Sequence, residues 1–267
     1  MNEANKQPKA IPPRTMLVPS RSLKSGAAFD WLRAGWLDFR NAPGLSLVYG
    51  FFVFLVSILV AFGSWKLGGF VLLLTALSGF VFVAPLLAFG LYSVSRQLCE
   101  GKKPDLSHTF RAIKRPLSSS LTYTLVLLVI FLLWARAGMM VQVFFPMGSK
   151  PDWGHVASFL LIGSSVGSIF AALSFAASVF SLPMLANRDI DVITAVISSV
   201  NAVLRNKPAM FVWAFLICSL TLVGFLTAGI GLIVIIPWLA YATWHGYRDA
   251  LDVSGLPKLP QEGPRQT

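Results

Sequence analysis

The side chains that could carry chemistry are few and stand apart. His108 and His155 fall in charged or polar connections between apolar stretches, and His245 falls at the end of the last stretch, beside Trp244. A haem or copper centre inside a membrane needs paired or clustered imidazoles, and this spacing offers none. Cys99 and Cys218 lie on different segments and make no CxxC pair, so neither a disulfide framework nor a metal site is expected. The HExxH, Walker A and GxSxG patterns are missing, and Gly229-Ile230-Gly231 lacks a phosphate-binding context. Ser118-Ser119-Ser120 and the serines near residue 165 could line a polar path, although helical serines more often bond back to their own backbone. One run gathers aromatic, basic and acidic groups: Trp244-His245-Gly246-Tyr247-Arg248-Asp249. It is a candidate contact for a lipid headgroup or a partner loop. No catalytic residue, cofactor site or metal site is assigned.

The elements that must position these residues are set by the distribution of charge. Hydrophobic residues make up 55% of the 267-residue chain and charged residues 12%, and the charges are concentrated between long uncharged blocks. Such blocks mark a polytopic membrane protein, an all-α bundle of transmembrane helices. A net charge of +11 is then explained by Lys and Arg held at one membrane face rather than by nucleic-acid binding, because the cations are split among short separate loops. Residues 1–43 are too long and polar for a signal-peptide n-region, so the first apolar block is expected to remain as an anchor.

Six spans are expected, at about 44–62, 68–92, 117–135, 156–185, 209–226 and 229–247. The last two come from one uncharged block, Ala209 to Trp244, whose 36 residues are too many for one crossing. Thr227-Ala228-Gly229-Ile230-Gly231 supplies a tight turn within it, because glycine tolerates positive φ. With six spans, nineteen Lys and Arg fall on the side of both termini and three (Lys66, Arg136 and Lys150) on the other. That places both termini in the cytoplasm. A five-span chain would divide the cations sixteen to six. Residues 1–25, polar and proline-bearing, read as a disordered cytoplasmic tail, 26–250 as the transmembrane domain and 251–267 as a second tail.

A hairpin pattern repeats three times. Arg40-Asn41-Ala42-Pro43, Lys114-Arg115-Pro116 and Arg205-Asn206-Lys207-Pro208 open the odd spans, and Pro-x-Leu-Ala recurs in the even ones at Pro85, Pro183 and Pro237. A proline in a helix frees a carbonyl that must find cover, so these positions are expected to pack against protein or line a shared groove. Two stripes precede odd spans: Phe29, Leu32, Trp36 and Phe39, then Ile193, Val196, Ile197, Val200 and Leu204. These spacings predict cytoplasmic interfacial helices lying on anionic headgroups. In the fourth span Gly163 and Gly167 form GxxxG, with Ser164, Ser168 and Ala172 at helical spacing. This predicts a packing face within the bundle or, as the alternative, between two copies.

Three stretches carry a family resemblance. They are Trp31-Leu32-Arg33-Ala34-Gly35-Trp36-Leu37-Asp38-Phe39 before Ala42-Pro43, Ser46-Leu47 and Tyr49-Gly50; Leu182-Pro183-Met184-Leu185 with Asp191-Val192; and Pro237 through Ala242-Thr243-Trp244-His245-Gly246-Tyr247-Arg248-Asp249. Together they resemble the bacterial integral membrane proteins of domain-of-unknown-function family 2189, from about Ala27 to Asp249. The resemblance implies an inner-membrane protein and no activity. A cytochrome oxidase subunit label carried by some relatives would require histidines that this chain lacks.

Spans without central charges weigh against an ion-coupled carrier, whose chemistry requires them. Two functions are therefore expected in order. The first is a non-enzymatic accessory, assembly or scaffold protein with a membrane-protein partner. The second is a transporter or channel for a small or lipidic solute, through a groove at the proline kinks.

Overall fold

A computed structural model describes residues 17–104, 128–134, 136 and 153–257. They form α1 (Ala27–Asn41), α2 (Pro43–Leu87), α3 (Phe89–Cys99), α4 (Trp153–Ser178), α5 (Ser181–Asn187), α6 (Val192–Arg205), α7 (Lys207–Leu226) and α8 (Leu232–Ala250). The all-helical expectation holds. Most of the expected third span, His108, Ser118–Ser120 and the opener at Lys114–Pro116 lie outside the described residues.

Local chemistry sets the boundaries. Helix α1 carries Asp30 in its first turn and Arg40 in its last, both favourable to its dipole. It stops at Ala42 (φ −133°, ψ 52°), because Pro43 crowds a preceding residue out of the α region. Helix α6 is capped by Asp191, whose side chain accepts from the Thr194 N–H at 2.9 Å. It ends at Asn206 (φ −119°, ψ 38°), so the first and third openers turn the chain in a similar way. The last uncharged block does divide at Thr227–Gly231. Gly229 sits at φ 84°, Ala228 also takes a positive φ of 53°, and the Thr227 hydroxyl receives the Gly231 N–H.

Helix α2 differs from expectation. Two spans separated near residue 65 were expected, and helical backbone continues across that point, from Pro43 to Leu87. The stretch between the expected spans has one charge, Lys66, and no proline to stop a helix; the ammonium lies 5.6 Å from the centre of the Phe62 ring, one turn back. A straight helix of that length would reach about 67 Å. However, Tyr49 near its start is hydrogen-bonded by the backbone of Gly90, just past its end. Both ends therefore lie at one end of the molecule, and α2 is not a straight rod. Among the described residues, three helical stretches are long and apolar enough to cross a membrane: Pro43–Leu67, Leu161–Asn187 and Lys207–Leu226.

The core forms around α8, which runs antiparallel to α1 and to the start of α2. Gly35 lies against the backbone of Ala242, Gly246 lies under the Trp31 ring, and Gly50 lies against Ile233. Trp31, Phe180, Trp213, Tyr241, Trp244 and Tyr247 are buried there, and Trp31 meets Trp213 edge-on at 5.6 Å. By contrast, Phe51, Phe52, Leu59 and Phe62 of α2, Leu161 and Ile169 of α4, and Phe211 and Phe215 of α7 are exposed. The molecule has a packed base from which apolar helices extend.

Two expectations are corrected by this packing. The α4 face of Gly163, Gly167, Ser164, Ser168 and Ala172 is not the centre of the bundle: Ser164, Ser168 and Ala172 are exposed, and a Cβ on Gly163 would meet nothing within 4 Å. The arm expected to be disordered through residue 25 is ordered from Leu17. Val18 is buried, its N–H bonds the Ser198 hydroxyl, Ser20 bridges Leu251, and the Asp252 N–H bonds Pro19. Residues 251–257 are likewise docked, with the Asp189 N–H on Pro257 and the Arg188 guanidinium on Leu256. The Asp252 carboxyl is held below its usual range, first by the Ser254 hydroxyl and N–H and then by Arg21. Because its folded pKa is depressed, its support for this clasp is present at neutral pH and is lost as pH falls through that value.

The close approaches give a direct contrast. Gly35→Ala places a Cβ 2.5 Å from the Ala242 nitrogen and should cost about 1–3 kcal/mol, as overpacking does. Gly163→Ala should change stability by less than about 0.5 kcal/mol. Thermal unfolding of both variants in one detergent measures the difference.

Candidate functional site

Helical periodicity places Asp38 on the same face of α1 as Trp31 and Gly35, the face turned towards α8. Its carboxylate is consequently buried, and it is met from two other helices. The Ser95 hydroxyl of α3 donates to Asp38 Oδ2 at 2.6 Å, and His245 Nε2 of α8 lies 3.0 Å from the same oxygen. Ser95 is fully buried, and the His245 side chain retains 23% exposure. Serine, histidine and aspartate thus meet at one point, but not in the order of a nucleophilic relay. That chemistry needs the serine on the histidine and the histidine on the acid. Here Ser95 and His245 share one carboxylate oxygen, an arrangement that ties three helices together.

The other members of the terminal cluster are divided between core and surface. Trp244 and Tyr247, expected to meet headgroups or a partner, are interior. The Tyr247 hydroxyl accepts from Asn187 Nδ2 at 2.9 Å, fixing α8 to α5. Asp249 is exposed and accepts the Trp31 indole N–H at 3.1 Å, and Arg248 is exposed beside it. An outward contact at this end is left to Arg248, Asp249 and the edge of His245. The indole nitrogens of Trp213 and Trp244 are buried without a hydrogen-bond partner.

Pro237 and Pro183 have protein cover. Pro237 lies inside α8 and is buried, and it removes the bond that Ile233 O would otherwise receive. Ile233 O is the atom against which Gly50 packs, a close approach of the kind Cα–H donors make to carbonyls. Pro183 sits in the first turn of α5, where no helical bond is lost, and is also buried. Pro85 lies in α2, among residues whose side chains are not described. On α4, Ser158, Ser165, Ser168 and Ser178 all bond carbonyls of their own helix, so these hydroxyls are not turned to a path.

Asp38 was legible in part. The sequence placed it between Trp36 and Phe39 of an amphipathic stripe, whereas Ser95 gave no signal that distinguished it from its neighbours. Among the described residues, no group of three or more His, Cys, Asp or Glu could hold a metal ion. Cys99 and Cys218 are free and exposed.

Long apolar helices with outward apolar faces, joined by a hydrogen-bonded base, define an integral membrane protein. Residues 72–187 match the model of a family described as predicted integral membrane protein (DUF2189), so the resemblance read from the sequence holds over the stretch from within α2 to the end of α5. That stretch contains Leu182–Leu185 but neither the Trp31 nor the Trp244 segment. No curated protein and no solved structure matches the chain.

Removing the shared carboxylate should loosen the base. Asp38→Ala leaves the Ser95 hydroxyl and the His245 ring without their acceptor and should cost about 2 kcal/mol. A double-mutant cycle with His245→Ala should show coupling of about 1 kcal/mol, read from unfolding in lipid nanodiscs.

Proposed function

We propose that this chain is a non-enzymatic accessory or scaffold protein of the bacterial inner membrane, acting through its surfaces on a membrane-protein partner. The observation that carries the reading is the use made of Asp38, Ser95 and His245: each is spent on holding α1, α3 and α8 together. Groups so committed are poorly placed for turnover, while the apolar faces of α2, α4 and α7 stay open to lipid or to another helix.

The accompanying topology is multi-pass, six spans in three hairpins, with both termini cytoplasmic. Pairing of the arm with the tail, Ser20 with Leu251, supports an even number of crossings, since paired ends share one side of the membrane. The nineteen-to-three division of Lys and Arg supports a cytoplasmic side for both. The meeting of Tyr49 with Gly90 supports an outward and returning path for residues 43–90.

Tagged purification from native membranes in a lipid-preserving medium, followed by mass spectrometry, tests the function. A companion protein at fixed stoichiometry is the expected result. A chain that always purifies alone sinks the accessory reading.

A further inference from the structure

Docking of the N-terminal arm creates a surface that neither segment has alone. The Asn206 side chain stands at the α6–α7 junction and is buried. Its Oδ1 accepts the Leu23 N–H at 2.8 Å, and its Nδ2 donates to Arg21 O at 3.0 Å and to Ala202 O at 3.0 Å. One asparagine therefore binds Arg21 to Leu23 of the arm between Arg205 and Lys207 of the junction. Arg21, Lys24, Arg205 and Lys207 are all exposed around it. The acid that reaches this group among the described residues is Asp252, 3.4 Å from Arg21 with both side chains largely exposed.

The apolar surface beside these cations is unusual in its direction. Helix α6 turns Thr194, Ser198 and Ser199 inward and leaves Ile193 and Leu204 68% and 58% exposed. A helix packed on a soluble domain does the reverse. The exposed face continues past Asn206 into Phe211 and Phe215 of α7, a stretch long and apolar enough to cross a membrane.

The geometry points to an anionic-phospholipid site at this junction. Arg21, Lys24, Arg205 and Lys207 take the headgroup phosphate, and the outward face of α6 and the first turns of α7 take the acyl chains. Charge complementarity selects an anionic over a zwitterionic lipid. The position at the start of an apolar span selects a lipid over a free anion, because cations on long stems there reach the headgroup layer.

The test uses the full chain in nanodiscs of equal phosphatidylglycerol and phosphatidylcholine, with retained lipid counted by native mass spectrometry. Wild type should retain phosphatidylglycerol in excess. Arg205→Gln with Lys207→Gln, two exposed positions that leave the core intact, should lower the retained ratio roughly twenty-five-fold, since each of the two cations near an anionic surface contributes about fivefold. Lys66→Gln, on a different helix, should leave it unchanged. Asn206→Ala should lower it by releasing the arm; should that variant fail to fold, the exposed pair still decides. Equal retention of both lipids by wild type, or an unchanged ratio in the Arg205/Lys207 variant, overturns the site. Displacement of phosphatidylglycerol by millimolar inorganic phosphate also overturns it, by showing a site for free anions. Absence of a protein companion would leave these ratios untouched, so this result and the accessory reading fail separately.

Discussion

Helix α8 can serve α1 and α2 together because three positions at its contacts carry no side chain. Gly35 and Gly246 bring α1 within backbone distance, and Gly50 does the same for α2. The break at Ala42 then lets consecutive helices lean on one rod at different heights. This closeness positions Asp38 between Ser95 and His245, covers the carbonyl freed by Pro237, and puts the Trp238 indole N–H 2.8 Å from Leu32 O. Greater separation would loosen these contacts together.

A second constraint follows from the solvent. Lipid tails are as apolar as leucine, so apolar burial does not by itself pull helices together in a membrane. Close packing of small residues and hydrogen bonding decide which faces turn inward. The interior accordingly holds Ser46, Ser93, Ser95, Ser198 and Asn206 among its aromatics, while Phe51, Phe52, Leu59, Leu161, Phe211 and Phe215 look out. Ser199 illustrates the economy of this arrangement. From α6 it donates to Ala176 O at 2.7 Å and accepts the Phe180 N–H at 3.1 Å, bridging the ends left where α4 gives way to α5. Helix α6 looks inverted by the rules of water and regular by those of a bilayer.

How much could be read beforehand depended on whether a feature was local. The turn at Thr227–Gly231 was legible because length and glycine chemistry both act within a few residues. The stripes of α1 and α6 were legible as helices for the same reason. Spacing, however, reports which residues share a face and not what covers it. The small-residue face of α4 therefore looked like a packing centre and is largely open, whereas Trp244 and Tyr247 looked interfacial and are core. Docking of residues 17–25 was hidden because its partners, Ser198, Asn206 and Leu251, lie far away in the chain and bond mainly to its backbone, which leaves no mark on side-chain pattern. The shared acceptor at Asp38 was hidden likewise, since Ser95 and His245 are distant from it and from each other.

The three stretches that carried the family likeness prove to be spatial neighbours. Trp31 lies against Gly246 and bonds Asp249, Asp38 meets His245, and Phe180, beside Leu182, meets Trp31 edge-on at 6.4 Å. Aromatic, acidic and histidine residues in one constellation would ordinarily suggest a reactive centre. Here the carboxylate of Asp38, the Ser95 hydroxyl, the His245 ring and the Trp31–Asp249 pair are partnered within the constellation, and its aromatics fill the space between helices. A site that must bind and release a substrate keeps some polar capacity free for it, whereas a joint that must stay closed uses that capacity internally. By that criterion the constellation reads as a joint, and under the proposed function recognition falls to the surfaces it holds in place: the cationic rim around Asn206 and the apolar faces that extend from the base.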